Sequence, residues 1–225
     1  MLVNCFRRLA CICAEIQKNL SGIAMIEFAL IVPFFLAIGL WGIELANYQL
    51  KIMKIEQIAA NLADNGSRIG DYSTLQNRRI FESDIDDLFV GASLAAGAQM
   101  DLFGKGRVIL SSVEMNTAGK QYIHWQRCTG AKTVLSSYGK EGDILPDAGI
   151  GPVGSRVPAL PNDALMFVEL QYDYQPLISN SFIGSPTIKS IASYIVRSSR
   201  DLSQIYQTTP ASPTMTCGKY SNTVA

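Results

Sequence analysis

The sequence predicts an α+β fold: a long N-terminal helix, transmembrane in its first part and amphipathic in its second, then a second helix and a small antiparallel sheet of about four strands. Three observations predict it. Residues 23–43 carry a single charge, Glu27. Leu45, Tyr48, Ile52, Ile55, Ala59 and Leu62 then recur at three- and four-residue steps, with Lys51, Lys54 and Glu56 off that stripe. Residues 164–174 alternate with period two, placing Ala164, Met166, Val168, Leu170, Tyr172 and Tyr174 on one face and Glu169, Gln171 and Asp173 on the other.

The apolar run spans ~30 Å as a helix, about the thickness of a bilayer's hydrocarbon layer. Two other readings exist. A buried core helix seldom runs this long without polar residues. A secretory signal has an apolar region of ~7–15 residues ending at a small-x-small site, and Ala37-Ile-Gly39 lies inside the run. A retained membrane helix fits best. Arg7, Arg8 and Lys18 precede it and Lys51 and Lys54 follow, a bias favouring a cytoplasmic N-terminus. Trp41 and Tyr48 suit an interfacial aromatic belt.

The organisation follows in order: a leader at 1–22, the transmembrane part of the helix at 23–47, its extracytoplasmic continuation at 48–65 and an extracytoplasmic α+β head at 66–225. Pro33 removes a backbone donor inside the span and is expected to kink it. Asn65-Gly66 ends the helix. Ser73 or Thr74 is expected to cap a second helix running to about Ala98, with Glu82, Asp84, Asp86 and Asp87 as a solvated acidic face rather than a calcium loop. Arg107–Met115 and Lys120–Cys128 read as strands joined by a turn at Asn116–Gly119. Ile123 and Trp125 are placed on one face of the second strand, Tyr122 and His124 on the other. Residues 129–162 read as a long Gly/Pro-rich loop. The strand at 164–174 is expected to bury one face and wet the other. A last strand runs near Ile188–Arg197.

Composition narrows the function. Lys+Arg and Asp+Glu are both 19, so no basic surface invites nucleic acid. The single histidine, His124, has no nucleophile with a supporting carboxylate around it and reads as a packing residue. No catalytic site, metal or cofactor is expected. Cys5, Cys11 and Cys13 lie in the leader, while Cys128 and Cys217 lie in the head. In an oxidising compartment that pair is a candidate disulfide, the alternative being two separate buried thiols.

Glu27 is the residue most in need of explanation. A carboxylate in a membrane helix is costly and by default functional. It lies one turn into the span, so it either snorkels to the headgroups or meets a cation. If a peptidase cut between Gly22 and Ile23, the new α-amino group of Ile23 would be such a cation, mostly charged near neutrality. Gly22-x-x-x-x-Glu27-Phe28, after a short basic leader and before a long apolar run, resembles the processing site of type IV prepilins of the Flp/Tad (tight adherence) branch. Ala24-Met-Ile-Glu-Phe-Ala-Leu-Ile-Val-Pro-Phe34 resembles the hydrophobic core of TadE-like minor pseudopilins; Phe28 stands where major pilins of this branch usually have Tyr. Arg107–Val113, Ile123–Cys128, Phe167–Leu177 and Tyr194–Arg200 are similar to strands of that family, with Arg197-Ser-Ser-Arg200 departing from its usual Arg-Pro-Arg.

The resemblance implies a pilin-like, non-enzymatic subunit, cleaved after Gly22 by a prepilin peptidase. Its implied partners are other pilin and pseudopilin subunits, an inner-membrane pilus assembly platform and membrane lipid, with no nucleic acid. It implies a single pass in a bacterial inner membrane, a cytoplasmic N-terminus, a periplasmic head and entry into, or a place at the base of, a filament. The alternative is a single-pass anchored binding or sensor domain without a filament role, needing neither Gly22 nor Glu27.

Overall fold

In the computed structural model, residues 21–71 and 77–222 are described. Most of the expected leader, with Cys5, Cys11 and Cys13, and the expected caps Ser73 and Thr74 lie outside them. A 46-residue helix, α1 (Ser21–Gly66), runs without a break through Pro33. It is followed by α2 (Glu82–Ala96), a short 3-10 turn (Ala98–Met100), α3 (Leu102–Lys105), β1 (Gly106–Met115), β2 (Gln121–Thr129), β3 (Leu165–Asp173), α4 (Asn180–Ile183) and β4 (Thr187–Ile195). The four strands form one antiparallel sheet in the order β2-β1-β3-β4. The α+β architecture is as the periodicities require.

One face of the sheet packs on the second half of α1 and on α2. Ile55, Ile58, Ala59, Leu62 and Ala63 of α1 meet Ile85, Phe89 and Ala92 of α2 and the β3 row Met166, Val168, Leu170 and Tyr172, which Ala164 and Tyr174 extend at either end. Leu45, expected on the stripe, is instead exposed. A step of four residues back from Tyr48 reaches Glu44, and that residue is buried. The helix ends at Gly66, beside Leu110, Leu88 and Met166. Arg200, 6% exposed, donates from Nη2 to the carbonyls of Gly66 (3.2 Å) and Ile69 (2.9 Å), satisfying acceptors that the helix end leaves open.

Besides Leu45, expectations for three parts of the head need correction. The second helix begins at Glu82, not near Ser73. Residues 78–82 bond instead to the tail: Arg78 N–H to Ser199, Asp201 N–H to Arg78, Tyr206 N–H to Ile80 and Glu82 N–H to Tyr206. Pairing with the tail thus takes the backbone groups that a longer helix would have bonded internally, and Asp84 Oδ2 accepts from Phe81 N–H (2.9 Å) at the new start. The acidic group is only in part a solvated face: Asp87 is exposed and Asp84 half-buried. Glu82 is 4% exposed and paired with Arg127 at 2.6 Å, and Asp86 is 8% exposed.

Second, Trp125 does not share a face with Ile123. The β1–β2 register slips between Ser112 and Val113, which face Trp125 and Ile123 respectively. His124 is the extra residue of a bulge, and one extra residue turns the chain by a face. Trp125 joins the helix-side core, and Ile123 joins a second cluster with Val113, Leu165 and Phe167.

Third, the far face of β3 is not wet. Residues 129–162 cover it, contributing Leu145, Ile150 and Ala159 to that second cluster. An irregular cover brings backbone groups that need partners, and polar strand residues supply them. Gln121 donates to the Asp147 carbonyl (2.7 Å) and accepts from Ala159 N–H (2.7 Å). Glu169 accepts from Ser137 N–H (2.9 Å) and from the Ser136 hydroxyl.

Candidate functional site

From Gly22 to Ile43 no residue of α1 is buried in the head. Ile23 is 54% exposed, Phe28 66%, Phe35 73% and Trp41 52%. This apolar surface far exceeds the few hundred Å² that a soluble monomer exposes. By length and composition α1 can cross a membrane.

Of the residues singled out from sequence, Gly22, Ile23, Glu27, Phe28 and Pro33 lie on this exposed stretch. Gly22 and Ile23 are in its first turns, with open space around the Gly22 Cα. Glu27 and Phe28 follow one turn on, both exposed, and nothing among the described residues pairs with Glu27. Pro33 lies inside the helix. These five residues are therefore together on the part of α1 that packs on nothing among the described residues.

The junction between that element and the head was missed. Glu44 has no exposed surface. Its carboxylate accepts from the Tyr174 hydroxyl, from Leu177 N–H (3.1 Å) and from Ile178 N–H (2.7 Å). Asn47 Nδ2 donates to the Tyr174 oxygen at 2.7 Å, and the Tyr48 and Tyr174 rings meet edge-on at 5.0 Å. Burial, reinforced by Glu44, pushes the Tyr174 phenol up to about 12, so it stays a donor throughout the physiological range. The signal was the position of Glu44, first charge after the run and one turn before Tyr48. Its partners lie 130 or more residues away.

At another corner of the head, Cys128 and Cys217 form a disulfide, with Cα atoms 4.7 Å apart across a sequence separation of 89. Arg107, 1% exposed, donates to the carbonyls of Gly130 (2.7 Å), Lys219 (2.7 Å) and Cys217 (2.8 Å), and stacks 4.3 Å from the Tyr220 ring. Gly130 has φ +111°, and a Cβ there would meet the Gly106 carbonyl at 2.3 Å, so only glycine lets the strands and tail approach this closely.

His124 Nδ1 lies 2.8 Å from Glu114 Oε2, and Ser112 Oγ donates to Glu114 Oε1 at 2.8 Å. The hydrogen bond to Glu114 holds the His124 pKa above its ordinary value. The Glu114 carboxylate is buried, 3% exposed. An open groove of about 470 Å³ runs between α1 and α2, lined in part by Asn61, Asn65, Arg68, Asp84, Asp87 and Gly91. Among the described residues no group of three His, Cys, Asp or Glu side chains is placed to hold a metal.

Comparison with protein-family models, with curated proteins and with solved structures yields no match to this chain.

Proposed function

We propose that this chain is a minor pseudopilin of a Flp/Tad-type pilus and secretion system. It is inserted with its N-terminus in the cytoplasm and its head in the periplasm, and a prepilin peptidase cuts it between Gly22 and Ile23. The mature helix leaves the lipid by packing laterally against the helices of other pilin subunits, within the filament or at its base, on an inner-membrane assembly platform. The chain performs no catalysis.

The observation that carries this reading is the division of α1. Its second half is the spine of the head, while residues 22–43 make no part of any core and carry Glu27 as their one ionisable group. An anchor needs only apolar residues. A carboxylate held one turn from a glycine peptide bond gains a purpose when a neighbour's new amine can pair with it, because pairing offsets the burial of both charges.

N-terminal sequencing of the protein recovered from membranes tests the processing step, with Ile23 expected as the first residue. Glu27→Ala is expected to abolish assembly while leaving the thermal transition of the head unchanged. A protein that still begins at Met1 in cells with an active prepilin peptidase, together with normal filaments from Glu27→Ala, would leave the plain anchored domain. On that alternative the groove between α1 and α2 is where a ligand would bind.

A further inference from the structure

We propose that the β3–β4 loop, residues 174–186, is a second membrane-contacting element, lying in the lipid headgroup layer beside the point where α1 leaves the bilayer. The inference rests on the membrane-spanning reading of α1 and goes beyond it, since it assigns a lipid-facing role to the head itself.

Three observations converge. The first is composition. From Tyr174 to Ile188 there is no Asp, Glu, Lys, Arg or His, a gap of 15 residues; the longer uncharged stretch of the head, 202–218, differs in that its Leu202, Ile205 and Met215 pack into the core. The loop holds Leu177, Ile178, Phe182 and Ile183 among Ser, Asn, Gly and Pro. That mixture of apolar and small polar residues suits the boundary between headgroups and acyl chains better than open water.

The second is exposure. Leu177 is 66% exposed and Ile178 38%, whereas their neighbours Tyr174 and Ile188 are buried. The loop could have turned these side chains inward. Instead the Glu44 carboxylate holds the two backbone amides, and the side chains stay outside.

The third is position along the helix. Gly22 to Ile43 is 22 residues, or ~33 Å of helix, which matches a bilayer core of ~30 Å. Glu44 is the next residue, and it is the one that binds the loop. Trp41 (52% exposed) and Leu45 (45%) flank the attachment point. β3 runs back along α1, so that Met166 is near Gly66 and Tyr174 near Glu44. The β3–β4 connection therefore falls at the membrane-proximal end of the head. A segment with exposed apolar side chains at that level is immersed by ~5–10 Å when it lies in an interface. The loop and α1 then make two contacts with the same surface, which sets the height and tilt of the sheet above the membrane.

The test uses the full chain with Cys5, Cys11 and Cys13 changed to Ser and one new thiol, Leu177→Cys or Ile178→Cys, carrying a nitroxide. Val153→Cys, at a position 89% exposed, is the aqueous control, and Leu30→Cys is the control for the span. The protein is placed at low density in vesicles of phosphatidylethanolamine and phosphatidylglycerol, after a thermal melt confirms that each variant is folded. Collision rates with oxygen and with a water-soluble nickel chelate are compared. The oxygen-to-nickel ratio at 177 and 178 is expected several-fold above that at 153 and below that at 30. Ratios at 177 and 178 equal to that at 153, with 30 still lipid-like, would overturn the loop's role and leave the span standing. A ratio at 30 equal to that at 153 would remove both. A rise at 177 that appears only at high protein density would mean that a neighbouring chain, not lipid, covers the loop.

Discussion

Glu44 is where α1 changes its surroundings, and its energetics can be tested directly. Glu44→Ala leaves the Leu177 and Ile178 amides and the Tyr174 hydroxyl without their acceptor. Hydrogen bonds to a charged group contribute about 1.5–3 kcal/mol, and donors left unpaired add a desolvation cost. A loss of about 2–4 kcal/mol is expected in thermal melts, with Glu44→Gln losing less. Asp86 should behave in the opposite sense. Burial first, then the nearby Glu82 and Asp87, push its pKa up to about 6, and its Oδ1 is buried without a partner. An acid whose pKa is raised on folding destabilises the native state wherever it is ionised, so this penalty grows as pH rises from about 4 through about 6. Asp86→Asn is expected to stabilise the head at pH 7, by about 1–2 kcal/mol once the shift is discounted for solvent screening, and to have little effect at pH 4. His124 has the mirror linkage. Its folded pKa is raised by Glu114, so its contribution is full below the ordinary histidine pKa and is lost as pH climbs through the folded value. The melting difference between the parent chain and His124→Asn should therefore be larger at pH 5.5 than at pH 9. Glu27 stands out in the sequence by local context alone. Glu44, Asp86 and the His124–Glu114 pair depend on residues brought in from other elements, which no local pattern records.

At the scale of elements, the strict alternation of residues 164–174 told which side chains of β3 meet the helices, and all six do. It could not tell that the other face is covered, because Glu169 and Gln171 look the same whether they meet water or a loop's backbone. Burial then raises the Glu169 pKa, opposed by bonds from Ser136 and Ser137. The bulge at His124 was equally hidden, since period two predicts a face only while the register is unbroken. The start of α2 was misjudged because Ser73 and Thr74 are good caps in isolation, and the rival pairing comes from a tail about 120 residues later. The Cys128–Cys217 bridge was one of two readings of the cysteine placement, the one that an oxidising compartment would favour. It closes a loop of 89 residues, worth ~4–5 kcal/mol by chain entropy and often less in practice. Cys217→Ser in the full chain is expected to cost about 2–4 kcal/mol. Arg107 and the Cys128 N–H to Met215 bond should still hold the tail in part. Hydrogen exchange that quickens at residues 213–221 before it quickens in β1 and β3 would show this.

For the whole molecule, the division of α1 predicts that the head is self-sufficient from Glu44 onward. Residues 22–43 contribute nothing to either core, so deleting residues 1–42 should leave every buried cluster, the Glu44–Tyr174 contact and the disulfide in place. The shortened chain keeps one residue before Glu44 and should melt within a few degrees of the full chain in detergent. It should also no longer need detergent to stay in solution. Cutting further is a different operation. A chain beginning at Met53 loses Glu44, Asn47, Tyr48 and Ile52, frees the 177–178 amides and bares the Tyr174 ring. Burial of a single large side chain is worth about 1.5–3 kcal/mol, and this cut removes two such contacts together with the carboxylate. Since a domain of this size has only ~5–15 kcal/mol of stability in all, the second truncation should melt far lower or fail to fold. Equal melting of the two truncations would mean that the junction is a passive linker and that the helix and head are joined only from Met53 onward. A first truncation that aggregates while the full chain stays folded in lipid would mean that the head needs the membrane helix for more than anchorage.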